Sequence, residues 1–350
     1  MTGQVPDGTE SDPSDPVRSD PSDPAASEAA LTAALIGGAV PIPGHRPGEP
    51  VRVRYLARGQ SYDAWRVTAG SGDVLLRIPH RPADQAPRPM ADEFAALARI
   101  PDGVGTRGLA YRDTDDNPLG RRYVLTTFVP GSVEPVTTWT TAHLDRLADA
   151  LIRLHRVDEP LAGPVHAPSR SRVGLAGHLD ASLGWWRHEH PRLFDDPEVD
   201  ALLPAVLRFV RQAEAAGGAA TRFSLIHGDL IAANVVLDGD RAGFIDWEWA
   251  ELGDPAQDLA YIGGTVHGGP DYVPMDDEAV LRFVTRYVDG MRAAGKDTED
   301  VPVLLARRDG WEVCERLLTM LHNTTRAAND PVARTAVAVV RATLRRRVAA

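Results

Sequence analysis

The sequence predicts an α+β chain with strands first and helices after, and three observations carry that expectation. Val51-Arg52-Val53-Arg54-Tyr55-Leu56 alternates apolar and polar residues, the period of a strand with one covered face, and Ala64–Val67 and Val74–Ile78 continue it across Gly70-Ser71-Gly72-Asp73. Beyond residue 140 the period becomes helical: Leu144, Leu147, Ala148, Leu151 and Leu154 fall on one face, as do Val280, Leu281, Val284, Tyr287, Val288 and Met291. Between those helices lies Leu225–Tyr261, where short apolar runs separate loops rich in aspartate, asparagine and glycine.

Taken in order, the chain opens on Ser11-Asp12-Pro13-Ser14-Asp15-Pro16, repeated as Ser19-Asp20-Pro21-Ser22-Asp23-Pro24. A stretch with so few apolar residues cannot offset its chain entropy by burial, so residues 1 to about 26 are expected to be disordered. Residues 27–36 can form a short helix, and Pro41, Pro43, Pro47 and Pro50 make an extended connector. Arg58-Gly59-Gln60-Ser61-Tyr62-Asp63 then links the first two strands. Met90–Ile100 places Phe94, Leu97 and Ile100 at helical spacing, and Arg121–Gly131 reads as a strand ended by Pro130-Gly131. Asp196-Pro197 and Asp330-Pro331 each read as an N-cap with proline in the first turn. Pro204 is expected to kink the helix that Pro197 starts, or to split it in two.

Composition narrows the function classes. Of the net charge of −11, seven acids against Arg18 put −6 in the first thirty residues. No basic stripe interleaved with aromatics remains, which disfavours a nucleic-acid role. No apolar run approaches the roughly 20 residues of a membrane span, and the N-terminus does not read as a signal peptide, so no membrane partner and a cytoplasmic location are expected. Cys314 is the single cysteine and sits in an apolar helical pattern, a buried thiol. His188-Glu189-His190 lacks the four-residue histidine spacing that would place two metal ligands on one helix face.

The chemistry concentrates in LIHGDLIAANVVLDGDRAGFIDWEWAELGDPAQDLAY, residues 225–261. Asp229 and Asn234 stand at the interval Asp-x-x-x-x-Asn, and a hairpin over Val235–Ile245 with its turn at Asp238-Gly239-Asp240-Arg241 would return Asp246 beside Asn234. One carboxylate to orient an attacking hydroxyl, with an amide and a second carboxylate to hold magnesium, is the set that phosphoryl transfer requires. Read one at a time, the same residues could cap a turn, satisfy backbone groups and pair with an arginine. His227-Gly228-Asp229-Leu230, Asn234, Ile245-Asp246-Trp247, Gly253-Asp254-Pro255 and Asp258-Leu259-Ala260 together resemble the signature of the aminoglycoside phosphotransferase family, the small-molecule branch of the protein-kinase-like fold. The resemblance spans roughly residues 50–330.

It implies a two-lobed fold: residues 1–45 as tail and connector, 46–130 as an antiparallel-sheet lobe that binds the nucleotide, and 131–350 as a helical lobe with the catalytic loop. It implies ATP or GTP as co-substrate with Mg2+, Asp229 as the catalytic carboxylate, and Asn234 and Asp246 as metal ligands. Gly59 and Ser61 fall where the family has its nucleotide-covering loop, and Thr127, Phe128 and Val129 where backbone groups meet the base. His227 is assigned a supporting part rather than that of a base. Lys296 is the only lysine and lies far along the chain from the nucleotide loop. Arg77, at the end of the third strand, is therefore the phosphate-gripping candidate, with Glu93 to orient it; the alternative is a solvent-facing strand-end arginine.

The acceptor is expected to be a hydroxyl of a small molecule, an antibiotic such as an aminoglycoside or macrolide. A metabolic alcohol is the alternative, as is a nucleotide-binding module without turnover. A cationic acceptor could use Glu248, Glu251, Asp271, Asp276 or Asp277, and an apolar one Trp185, Trp186, Trp247, Trp249 or Tyr272. The sequence says nothing of oligomeric state.

Overall fold

A computed structural model describes residues 24–59, 61–70, 72–82, 88–157 and 174–349. Residues 1–23, the greater part of the expected acidic tail, lie outside it. The chain divides into two compact units, Met1–Ala86 with Gly108–Phe128, and Pro87–Arg107 with Val129–Ala350. The fold is α+β, with a five-stranded antiparallel sheet in the N-terminal part and a mainly helical C-terminal part.

In the first unit, helix α1 (Pro24–Ile36) precedes strands β1 (Arg52–Arg58), β2 (Tyr62–Ala69) and β3 (Gly72–Pro79). Helix α2 (Met90–Leu97) belongs to the second unit, and the sheet resumes with β4 (Gly108–Arg112), absent from the sequence expectation, and β5 (Tyr123–Thr127). The order is β1-β2-β3-β5-β4. Strand alternation sends Val53, Trp65, Val67, Val74, Leu76, Ile78, Tyr123 and Leu125 into one apolar core with Leu31 and Leu35 of α1. Glu28 ties that helix to the sheet by accepting the Tyr55 N–H at 2.7 Å. Leu75, Arg77, Val124 and Thr126, paired as Leu75↔Thr126 and Arg77↔Val124, share the opposite face.

The second unit is built on helices α3 (Thr141–His155), α4 (Leu175–Glu189), α5 (Pro197–Gly217), α6 (Pro255–Tyr261), α7 (Asp277–Ala293), α8 (Val301–Arg326) and α9 (Pro331–Ala349). The expected caps form: Asp196 accepts the Glu198 N–H at 2.9 Å, and Asp330 accepts those of Val332 and Ala333 at 2.9 and 3.1 Å. Helix α5 is one continuous element of 21 residues despite Pro204. Proline removes one N–H and crowds one carbonyl there, at an exposed position, while Leu202, Leu203, Val206 and Val210 bury the other face and hold the helix together. Strands β6 (Ser224–Ile226) and β9 (Glu251–Gly253) pair antiparallel, as do β7 (Val235–Asp238) and β8 (Arg241–Phe244), while β10 (Gly263–Gly264) and β11 (Val273–Pro274) pair in parallel. The two antiparallel pairs carry the polar loops. Among the described residues, no helix is long and apolar enough to cross a membrane.

Candidate active site

The β7–β8 hairpin closes in register, Val235↔Phe244 through Asp238↔Arg241, over a two-residue turn in which Gly239 adopts φ +56°. Just outside its open end the Ile245 N–H donates to the Asn234 carbonyl at 3.0 Å. That single bond sets Asp246 next to Asn234. Asp246 has φ +64°, and it is the one non-glycine residue with positive φ among those described. Aspartate tolerates the left-handed region better than most residues but still at a cost, and such positions cluster at working sites.

Asn234 is buried, and its side-chain Nδ2 donates to the Asp229 carbonyl at 2.8 Å, with Asp229 Oδ2 3.5 Å away. The amide oxygen is thereby left on the other branch, pointing away from the Asp229 carbonyl. Asp229 itself is half-buried. One amide oxygen and one carboxylate form a hard, oxygen-only donor set that fits Mg2+, which is held by one or two carboxylates together with substrate phosphates.

His227 locks these loops to each other. Its Nε2 donates to the Ile245 carbonyl at 2.9 Å, and its Nδ1 accepts the Asp229 N–H at 3.3 Å. Burial lowers its pKa from the ordinary 6.5, against the opposing pull of Asp258, the Ile245 carbonyl and Asp246, so the ring is neutral with its proton on Nε2. Trp247 is fully buried, its ring centroid 4.6 Å from that of His227, and its Nε1 donates to the Phe244 carbonyl at 3.1 Å. Gly105 passes against this corner so tightly that a Cβ would lie 2.7 Å from the Phe244 oxygen and 2.8 Å from Trp247 Cζ2, which excludes a side chain there.

Beneath the loop lies Asp258 of α6. It accepts the N–H groups of His227 at 2.8 Å and Gly228 at 2.9 Å, and lies 3.1 Å from His155 Nε2 at the end of α3. Two successive N–H groups can meet one carboxylate because Gly228 adopts φ +76°. Burial alone would raise the pKa of Asp258, but the hydrogen bond and charge of His155 together with the His227 contacts outweigh it and hold the carboxyl below its ordinary range. Sequence reasoning gave no role to Asp258 or to His155. The available signal was a lone carboxylate, already part of the Asp258-Leu259-Ala260 signature, directly ahead of Leu259-Ala260-Tyr261-Ile262, a stretch apolar enough to be buried.

Around the acceptor side, the Ala232 N–H donates to the Asp271 carbonyl at 2.9 Å, which ties the Gly268–Tyr272 loop to the catalytic loop. Burial raises the Asp271 carboxyl against the pull of Arg316 and Arg326. Tyr272, buried beneath the Arg316 guanidinium at 3.5 Å from the ring centroid, is pushed up to about 12, chiefly by burial. Other expected acceptor contacts are spent elsewhere. Glu251 is fully buried and takes Arg88 at 2.7 Å, Asp276 caps α7 through the Ala279 N–H at 2.8 Å, and Asp277 pairs with Arg347 at 3.3 Å. Trp247 supports His227, and Trp249 lies beneath Arg88 at 5.2 Å.

In the first unit, the Gly59 N–H donates to the Tyr62 carbonyl at 2.8 Å, and His80 holds the Ser61 carbonyl through its N–H at 3.1 Å and the Gly59 carbonyl through Nε2 at 3.1 Å. The hydroxyls of Ser61 and Thr126 are buried with no protein hydrogen-bond partner among the described residues. Arg77 is a buried strand residue, its guanidinium 4.1 Å from the Tyr62 ring centroid, and not the solvent-facing arginine that was the alternative. Thr127 pairs across the sheet with Val74, and the Phe128 ring lies under Arg66 at 4.5 Å. Glu93, buried on α2, and Val129 belong to the second unit.

A family model described as "Phosphotransferase enzyme family" matches residues 52–300. The chain belongs to that family. It is a phosphotransferase of the small-molecule kinase type. None of the curated proteins matches it. Among solved structures it is similar to a choline/ethanolamine kinase family protein from Mesorhizobium loti, at 19% identity and TM-score 0.60 over 93% of this chain and 94% of that one. A choline kinase from Cryptosporidium parvum Iowa II matches at 13% identity and TM-score 0.61, covering 92% and 93%. The GDP complex of aminoglycoside 2'-phosphotransferase-IIIa matches at 17% identity and TM-score 0.55, covering 85% and 92%. At these identities the likeness speaks for the fold, and the site is argued from its own residues.

Proposed function

We propose that this phosphotransferase moves the terminal phosphoryl group of ATP or GTP to a hydroxyl of a small molecule, with an antibiotic as the first acceptor class to test. The observation that carries the reading is the meeting of Asp229, Asn234 and Asp246 on two loops joined by the Ile245–Asn234 hydrogen bond, with Asp246 held at φ +64°.

Asp229 accepts the hydrogen bond of the incoming hydroxyl and aims its oxygen at phosphorus, taking the proton as the new bond forms. Asn234 Oδ1 and the Asp246 carboxylate would hold Mg2+, whose charge offsets that of the phosphates. Ser61 and the Gly59 backbone cover the phosphates, and Arg77 grips them in two-point fashion. Thr127, Phe128 and Val129 meet the base. Catalysis in this scheme is positioning and charge neutralisation, with no covalent intermediate.

With Glu251, Asp276 and Asp277 engaged by Arg88, a helix cap and Arg347, the acidic residues left for an acceptor are Asp271 and Glu248, and among the aromatic ones Trp185 is the most exposed. This makes an acceptor with few positive charges a better fit than a polycation. A phosphorylation screen over aminoglycosides, macrolides and small alcohols, with ATP and GTP in separate arms, tests the proposal. Transfer to any of them that is abolished by Asp229→Asn supports it. Magnesium-nucleotide binding without transfer or hydrolysis under any condition leaves the non-catalytic module as the correct reading.

A further inference from the structure

A cavity of about 780 Å3 opens in the first unit, lined by none of the residues used in the scheme above. Ser27 and Leu31 of α1 stand in one wall, and the end of β3 and the β4–β5 loop form the others. Those walls carry Arg81, Arg121 and Arg122 against a single lining carboxylate, Asp115. Asp115 accepts the Arg122 N–H at 2.9 Å, and the Arg122 guanidinium donates to the Arg81 carbonyl. The guanidinium groups of Arg81 and Arg121 have no protein partner among the described residues. Asp113 and Asp116 share the β4–β5 loop but do not line the cavity.

We propose that this cavity is the docking site of the chain's own acidic N-terminal segment, residues 12–23, held there through its aspartates. Six acids against Arg18 give residues 1–23 a formal charge of −5. The two Ser-Asp-Pro-Ser-Asp-Pro repeats set aspartates three residues apart, Asp12 with Asp15 and Asp20 with Asp23, each directly ahead of a proline. A residue before proline is confined to extended or polyproline II backbone, in which every third side chain returns to one face about 9 Å further on. Each repeat is thus predisposed to offer two carboxylates on one face, and arginine takes a carboxylate through two parallel hydrogen bonds. The segment joins α1 at Pro24, one turn ahead of Ser27 in the cavity wall. So short a tether keeps its aspartates at an effective concentration on the order of millimolar, and contacts too weak to hold a free peptide suffice. His80, which also lines the cavity, holds the Gly59 and Ser61 carbonyls, so the docked segment borders the Gly59–Tyr62 turn.

Arg18–Ser19 is the one bond in residues 1–23 that trypsin can cut, so docking is read as protection of that bond. Protection is the cleavage rate of a synthetic peptide of residues 1–26 divided by that of the full chain. It should be about tenfold or more for the wild type, and should fall in about 0.5 M sodium chloride. Arg81→Glu/Arg121→Glu should reduce it to less than about twofold. Asp12→Asn/Asp15→Asn/Asp20→Asn/Asp23→Asn, measured against its own matching peptide, should do the same. That variant changes no described residue, and it decides the matter if the arginine variant does not fold.

Wild-type protection below twofold would overturn the proposal, as would protection that survives either set of substitutions in a folded chain. Protection that rises with protein concentration rejects docking within one chain and places the segment in the cavity of a second copy. An unprotected bond, with thermal stabilisation by inorganic phosphate that Arg81→Glu/Arg121→Glu removes, rejects it too and makes the cavity a small-anion site. The assay involves neither acceptor nor turnover, so its outcome is independent of the reading of Asp229.

Discussion

The catalytic loop and the nucleotide loop solve the problem of holding polar groups in opposite ways. In residues 227–246 side chain and backbone satisfy each other: Asn234 bonds Asp229, His227 bonds both Asp229 and Ile245, and Asp258 bonds His227 and Gly228. In residues 59–61 the backbone is held by Tyr62 and His80, but the Ser61 hydroxyl, like that of Thr126, has no protein partner among the described residues. A buried hydroxyl without a partner costs roughly 1–3 kcal/mol. In the proposed scheme, then, the catalytic loop is held by contacts within the protein, whereas the loop proposed to cover the phosphates is held mainly through its backbone. Substitutions should therefore act on rate in the first region and on affinity in the second.

The sharpest way to break this comparison is Asp229→Asn. It should lower the transfer rate at least about a hundredfold while magnesium-nucleotide binding, measured by titration calorimetry, persists. A parallel loss of binding would mean that Asp229 does not work on the acceptor alone. Next in size, Asp246→Asn should weaken magnesium-dependent nucleotide binding by about tenfold or more, with little effect on whatever binding persists without magnesium. An unchanged magnesium dependence would remove Asp246 from the donor set.

Smaller effects belong to the nucleotide side. Arg77→Lys should raise the KM for nucleotide several-fold, since lysine cannot form two parallel hydrogen bonds, and Arg77→Met should do worse. Equal kinetics for all three residues would demote Arg77 to a packing role over Tyr62.

The smallest effect sharpens the catalytic half through pH. The folded pKa of His227 is depressed, so the unfolded chain binds more protons below the ordinary 6.5 and stability falls as pH drops from there toward the folded value. His227→Asn should flatten the fall in Tm between about pH 6.5 and 5 while lowering Tm at pH 7.5, because the ties to Ile245 and Asp229 are cut. An unchanged acid limb would show that another group carries it.

Local pattern was enough for β1, β2, β3 and β5 of the first sheet, the helix caps at Asp196 and Asp330, and the hairpin that returns Asp246, because each rests on a period or a turn that a few neighbouring residues specify. It failed where distant partners decide. Strand β4, Gly-Leu-Ala-Tyr-Arg, carries too weak an alternation to be read alone and exists by pairing with β5. Of the two outcomes open for Pro204, a kink or a split, the split does not occur, because the buried face outweighs one missing hydrogen bond.

Within the site the same division holds. The identity and spacing of Asp229, Asn234 and Asp246 were legible in the chain alone, since these are chemical types at fixed intervals around a short hairpin. Which other polar groups lie against these loops, and which are engaged elsewhere, depended on packing between elements far apart in sequence. Glu251, Asp276 and Asp277 are consumed by Arg88, a helix cap and Arg347, whereas His155, Asp258 and Tyr287 converge from three helices far apart in sequence. A hydrogen bond needs its partners within about 3 Å. No pattern in a linear chain reports which buried groups will come that close.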